Sequence, residues 1–168
     1  KKHQCTIFIG VPTIYRQIIQ KTDFTLEDCP SLRYCMSAGE HLSDEMLGLW
    51  REKFKQDIYE AIGMSECSYY ISHSKNNPIR PGSAGFVQPG HTVKLLDPDT
   101  LEEVVDGEEG MICIGEDDPG LFLEYWQLEE ETAKSRHDGY FFTGDYAKKD
   151  EDGYIWFIGR KDDIINTF

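Results

Sequence analysis

Tyr59-Glu60-Ala61-Ile62-Gly63-Met64-Ser65-Glu66 carries a strand-like run into a glycine and then directly to a hydroxyl and a carboxylate. Asp57 to Ile62 reads as a strand, and Gly63 lets the backbone leave it through a tight turn that a Cβ would obstruct. Just past that turn, the Ser65 hydroxyl can donate to a phosphate oxygen, while the Glu66 carboxylate can hold a hard, oxygen-seeking cation such as Mg²⁺. Taken alone, the segment is more often a strand-to-helix turn with a polar cap.

Upstream, Thr6 to Gly10 reads as a short buried strand, Pro12 as the first residue of a helix to about Gln20, and Leu32 to Ser37 as a second strand. Ser43 is a candidate N-cap for a helix to about Phe54, with Met46, Leu47, Leu49, Trp50 and Phe54 as its apolar stripe. Strand, helix, strand, helix, strand predicts a layered α/β unit with a largely parallel sheet over residues 1–77. Ligands of such units collect outside the carboxyl ends of the strands, where both Gly39-Glu40 and Gly63 to Glu66 fall.

Downstream the texture changes. Asn77-Pro78, Arg80-Pro81-Gly82 and Pro89-Gly90 are turn signals between short alternating stretches. Thr92 to Leu96, Met111 to Ile114, Tyr140 to Phe142 and Tyr154 to Ile158 are strand candidates, with a short helix around Glu129 to Ala133. A small β-rich subdomain, a distorted barrel over residues 78–161, is the expected outcome. Trp50, Trp126 and Trp156 are expected in the core or at a subdomain interface.

Two more groups belong with the Ser65-Glu66 turn. Asp145, expected on the glycine-containing turn Thr143-Gly144-Asp145, is an acceptor-only carboxylate able to take both hydroxyls of a ribose, and Arg160 offers a planar donor fork for the same sugar or its phosphate. Singly, Asp145 is more often an Asx-type turn residue, and Arg160 with Asp162-Asp163 a surface ion pair of small worth. Their order along one chain favours a shared site.

Composition narrows the remaining classes. The 168 residues carry 17 Lys plus Arg against 31 Asp plus Glu, a formal charge of −14, which argues against a sequence-independent grip on nucleic acid or anionic lipid. Five cysteines, at 5, 29, 35, 67 and 113, form no C-x-x-C pair and leave an odd thiol, against a disulfide framework or a zinc site and in favour of a reducing cytoplasm. Cys67 reads as a buried inert thiol, and His3, His41, His73, His91 and His137 lack ligand spacing. The longest apolar region, Thr6 to Tyr15, is interrupted by Gly10 and Pro12 and falls short of the ~20 residues that span a bilayer.

The whole set resembles the adenylate-forming superfamily: acyl-CoA synthetases, aryl-CoA ligases, luciferases and the adenylation domains of peptide synthetases. Val11-Pro12-Thr13-Ile14-Tyr15, Leu32 to Glu40, Gly63-Met64-Ser65-Glu66, Arg80 to Gly85, Pro89-Gly90, Tyr125-Trp126 and the run from Tyr140 to Ile165 stand in the family's order. Glu124 replaces a usual glycine, Ile62 a usual adenine-stacking aromatic, and Asn166 a frequent lysine.

The resemblance implies that Gly39, Glu40, His41, Ile62, Gly63 and Met64 border the nucleotide, Ser65 contacts phosphate and Glu66 binds Mg²⁺. It also implies that Asp145 and Arg160 hold the ribose and that Asp162 is the hinge to a C-terminal domain. The parent protein would be an ATP-dependent carboxylic acid:CoA ligase of the medium-chain acyl or benzoate type, with a small-molecule acid, ATP and coenzyme A as substrates. Residues Ser68 to Ser72 are candidates for the acyl pocket wall. An adenylation domain that loads a carrier protein and a noncatalytic nucleotide-binding module are the alternatives. The chain contains no Gly-Lys dipeptide and no lysine after Lys161, so it reads as a piece of the larger N-terminal domain, with 162–168 opening the next domain, and is expected to be inactive alone.

Overall fold

The structure, a computed structural model, describes residues 3–160. Its contacts divide the chain into two interleaved units, residues 1–62 with 72–85, and residues 63–71 with everything from 86 onward.

In the first unit, strand β1 (Ile7–Gly10) leads into helix α1 (Pro12–Lys21), followed by β2 (Tyr34–Ala38), helix α2 (Asp44–Phe54) and β3 (Ile58–Ile62). The expected strand, helix, strand, helix, strand rhythm is present. β2 pairs in parallel with both β1 and β3, in registers that set Ile7 beside Tyr34 and Cys35 beside Ile58. Pro12 opens α1, where its missing N–H costs nothing. The Ser43 hydroxyl accepts from the Met46 N–H at 3.3 Å, with Asp44 and Glu45 in the first turn and Arg51 and Lys53 in the last, each sign matched to the helix dipole.

Beneath the helices, Tyr15, Leu32, Cys35, Leu42, Met46, Leu47, Trp50, Phe54 and Ile58 form one buried cluster. Leu49 does not join the stripe. It is 40% exposed, because Met46, Leu47, Trp50 and Phe54 already define the buried face and Leu49 falls on the flank opposite to it.

The second unit starts with the loop from Gly63. β4 (Ile71–Ser72) follows, and the Gln88 N–H donating to the Tyr70 carbonyl at 2.9 Å brings β5 (Phe86–Val87) alongside. β6 (Val93–Leu96), β7 (Glu109–Gly115), β9 (Tyr140–Lys149) and β10 (Ile155–Arg160) make an antiparallel sheet in the order β10-β9-β7-β6. Helix α3 (Glu129–Lys134) precedes β8 (Arg136–His137), which pairs with β9. The sheet curls in a half-barrel-like form, as the β-rich pattern predicts. β7 is buried from Gly110 to Gly115, so it reads as an apolar run rather than an alternation.

β9 is much longer than the expected Tyr140 to Phe142, and Asp145 lies within it rather than on a turn. Partners shift from Cys113 with Phe142 to Met111 with Tyr146, so Thr143, Gly144 and Asp145 together face Ile112: a β-bulge. The Thr143 hydroxyl donates to the Ile112 carbonyl at 2.8 Å and accepts from the Asp145 N–H at 3.1 Å, replacing ladder bonds. Gly144 takes φ +78°, a conformation that side chains with a Cβ disfavour. The sequence signal of a glycine turn was thus the signal of a bulge.

Trp50 is buried, but Trp126 is 79% exposed, against expectation. Trp156 is half-buried, with its Nε1–H donating to Asp150 at 3.0 Å. Among the described residues no helix is long and apolar enough to cross a membrane, and all five cysteines are free.

Candidate functional site

Gly63 is required by a close approach. A Cβ there would lie 2.4 Å from the backbone nitrogen of Tyr69, so only glycine lets the chain fold back on itself. The Met64 N–H donates to the Cys67 carbonyl at 2.9 Å, which closes a tight loop and puts Ser65 and Glu66 at its tip. No helix follows; the chain runs on to β4. Ser65 is exposed and Glu66 half-buried.

The strand-like segment Leu121 to Tyr125 holds this tip. Cys67 bridges Leu121, and the Phe122 N–H donates to the Glu66 carbonyl at 2.7 Å. The Tyr125 hydroxyl donates to Glu66 Oε1 at 2.7 Å. Burial, then this bond to a carboxylate, push the Tyr125 hydroxyl up to about 12, so it stays a donor. Tyr125 is itself fixed by its N–H to the Thr132 hydroxyl of α3 at 3.0 Å. Arg136 donates to the carbonyls of Phe122 and Leu123 and lies over the Phe122 ring, 5.3 Å from its centre. One oxygen of Glu66 is thereby anchored.

Asp145 and Arg160 are cross-strand partners on β9 and β10, with the guanidinium Nε 3.8 Å from Oδ1. The Asp145 side chain is only 14% exposed. Burial raises its affinity for a proton and Arg160 opposes that rise.

Tyr70 belongs to the same unit. Its side chain is fully buried, and its hydroxyl has no hydrogen-bond partner among the described residues. Burial raises its pKa most, followed by the charge of Asp145, then Cys67 and Glu66, while Arg160 lowers it. Glu66, Asp145 and Arg160, which the sequence reading grouped, all belong to the second unit.

The remaining predicted residues lie in the first unit, apart from Met64, which belongs to the loop described above. Gly39, after β2, takes φ +88°, and Glu40 accepts from the Thr13 hydroxyl at 3.0 Å. His41 Nδ1 lies 3.6 Å from Glu60 Oε1; burial raises the Glu60 pKa and His41 opposes it. Ile62 closes β3. Asp162 lies outside the described residues.

Sequence reasoning gave no role to Tyr125, which was visible only within the Tyr125-Trp126 pair, and it placed Tyr70 only within the Ser68 to Ser72 stretch suggested for the acyl pocket wall.

Three comparisons bear on this arrangement. The sequence profile of AMP-binding enzymes matches residues 1–126. The mitochondrial acyl-coenzyme A synthetase ACSM3 of Mus musculus is 37% identical over 166 residues, covering 98% of this chain and 28% of that protein. Apo MatB from Rhodopseudomonas palustris superposes with a TM-score of 0.86 at 33% identity, covering 96% of this chain and 32% of its own. The benzoate CoA ligase of Burkholderia xenovorans LB400 also gives 0.86, at 27% identity, over 98% and 33% respectively. This chain spans about a third or less of each, and since the profile runs over most of its residues, it belongs to the AMP-binding enzyme family.

Proposed function

We propose that the protein carrying this chain is an ATP-dependent carboxylic acid:CoA ligase, which first joins the acid to AMP with loss of pyrophosphate and then transfers the acyl group to the thiol of coenzyme A. The observation that carries this reading is the cross-strand pair of Asp145 and Arg160, 3.8 Å apart, in the same unit as the Glu66 carboxylate that Tyr125 holds at 2.7 Å. The relatives named for acyl-CoA synthesis and benzoate ligation support it.

In this reading the Asp145 carboxylate accepts from the ribose hydroxyls and Arg160 donates to the same sugar. Ser65 donates to phosphate, and Met64 lies beside it in the same loop. The half-buried, oxygen-only donor set at Glu66 suits Mg²⁺. Mg²⁺ bound there would offset triphosphate charge, and Tyr125 would hold the Glu66 carboxylate in place for it. Both reacting groups are anionic, so charge compensation and positioning supply most of the rate, and no protein nucleophile is needed. Asp162 would be the hinge to the next domain. The five free thiols support a reducing compartment, and we place the protein in the cytoplasm.

The test is pyrophosphate release by the full-length protein across aliphatic and aromatic acids, with CoA present and absent. Glu66→Gln should remove most of the Mg²⁺-dependent rate, by roughly 100-fold or more if the charge acts at the developing transition state. An unchanged rate removes Glu66 from the metal role. We also read the 168-residue chain as insufficient alone, and acid-dependent pyrophosphate release by it would overturn that.

A further inference from the structure

On the far side of the Ser65-Glu66 loop a second cluster of donors lies within the same unit. Cys67 Sγ is 3.9 Å from His91 Nδ1, and His91 Nδ1 is 3.0 Å from each oxygen of Asp118. The three donor atoms all lie within 4.8 Å of one another. The Cys67 and Asp118 side chains are fully buried and that of His91 is 18% exposed. We propose that Cys67, His91 and Asp118 form a binding site for one borderline-soft divalent cation of the Zn²⁺ class.

The chemistry of the donor set selects that class. A sulfur, an imidazole nitrogen and a carboxylate suit Zn²⁺, whereas Mg²⁺ demands oxygen alone. With Zn–S near ~2.3 Å and Zn–N near ~2.0 Å, tetrahedral geometry puts sulfur and nitrogen roughly 3.5 Å apart. The present Sγ–Nδ1 spacing of 3.9 Å lies within a few tenths of an ångström of that. Three protein ligands leave the fourth position to water, and His91 is the exposed member through which the cation would enter.

The carboxylate is already oriented. Asp118 accepts from the Thr92 N–H and the Gly120 N–H, both at 2.8 Å, the kind of outer support that fixes a metal-binding carboxylate. Gly120 keeps the space clear, because a Cβ there would come within 2.9 Å of His91 Cε1 and 3.2 Å of Asp118 Oδ1. Cation binding releases the Cys67 thiol proton to solvent, forms the Zn–S, Zn–N and Zn–O bonds, and leaves a thiolate, a carboxylate and a 2+ ion that sum to zero charge. Without metal, the same groups form a His91 to Asp118 hydrogen bond with a thiol packed beside it.

The experiment uses the full-length protein, stripped with chelator, and Zn²⁺ as the sole added probe in calorimetric titration. One equivalent should bind, and Cys67→Ser and His91→Gln should each weaken it at least tenfold, with folding checked by circular dichroism. Co²⁺ in place of Zn²⁺ should give a thiolate-to-metal charge-transfer band that Cys67→Ser abolishes. Failure to bind an equivalent overturns the proposal. So does binding indifferent to both substitutions, or a cobalt band that survives Cys67→Ser. None of these results touches the ligase reading, which does not use these three side chains.

Discussion

Trp50 and Tyr70 are both buried aromatic residues, but their surroundings are opposite. Trp50 is 1% exposed and meets rings, with Phe54 stacked at 4.0 Å, Tyr15 edge-on at 4.7 Å and Phe8 at 6.4 Å. Tyr70 is fully buried and feels charge: Asp145, Cys67 and Glu66 raise its pKa and Arg160 lowers it. The first environment gains free energy from removing apolar area from water and from ring contact. The second keeps a hydroxyl from water without returning a hydrogen bond, a cost that a folded domain carries where polar groups serve a ligand.

The sharpest way to break this contrast is to truncate both residues. Trp50→Ala should destabilise the chain by about 3–5 kcal/mol, as large aromatic-to-alanine changes in packed cores do. The check is the midpoint of denaturant unfolding. A loss below about 1 kcal/mol would mean that the ring ladder of the first unit is not the source of its stability.

Tyr125→Phe tests the other region with a single atom. It removes the bond to Glu66 Oε1 while leaving the ring against Phe122, whose centre lies 4.6 Å away. The expected loss is about 1 kcal/mol, or roughly fivefold in the Mg²⁺ dependence of pyrophosphate release by the full-length protein. A uniform fall in rate at every Mg²⁺ concentration would show that Tyr125 does not act through the carboxylate.

The same contrast explains what the sequence made legible. The first unit could be read almost whole, because Pro12, Ser43 and the spacing of Met46, Leu47, Trp50 and Phe54 are local signals whose periods match their elements. Leu49 misled, since a run of neighbouring apolar residues does not say which flank faces inward, and β1 is not the buried strand its apolar run suggests, because Ile7 and Ile9 are 49% and 51% exposed. In the second unit the strand candidates appeared, but β9 was cut short at Thr143-Gly144-Asp145. A bulge and a turn use the same residue types, and only the partner strand distinguishes them. The short strands β4, β5 and β8 gave no periodicity at two residues each. Ser65, Glu66, Asp145 and Arg160 were singled out from their chemistry and order. Tyr70, Tyr125 and the Cys67, His91 and Asp118 group depend on contacts between remote segments, which no local pattern encodes.

Tyr70→Phe is a smaller perturbation with an opposite sign for two measurements. Removing a buried hydroxyl without a partner lifts a desolvation cost, so the free chain should be neutral to about 1 kcal/mol more stable. If that hydroxyl is reserved for bound nucleotide, AMP affinity in the full-length protein should fall as stability rises. A variant that is less stable and binds AMP unchanged would show that the hydroxyl finds its partner in the folded chain itself.

Asp145 should respond to pH with a definite sign. Its pKa in the folded state is raised by burial, more than Arg160 lowers it, so the folded chain binds the proton more tightly than the unfolded chain does. The protonated carboxyl therefore favours folding below the ordinary aspartate range, and that contribution is lost as pH rises through the raised folded value. Asp145→Asn, which stays neutral, should flatten this part of the stability profile and make the chain slightly more stable near neutrality. Ribose recognition runs the other way, because only the ionised carboxylate is free to accept from two hydroxyls. AMP binding should weaken as pH falls through the raised value, over the range in which the free fold gains stability, and titrations of the two quantities on one sample would show whether a single group links them. If both move in the same direction, the carboxylate at Asp145 is set by folding alone and the ribose is held elsewhere.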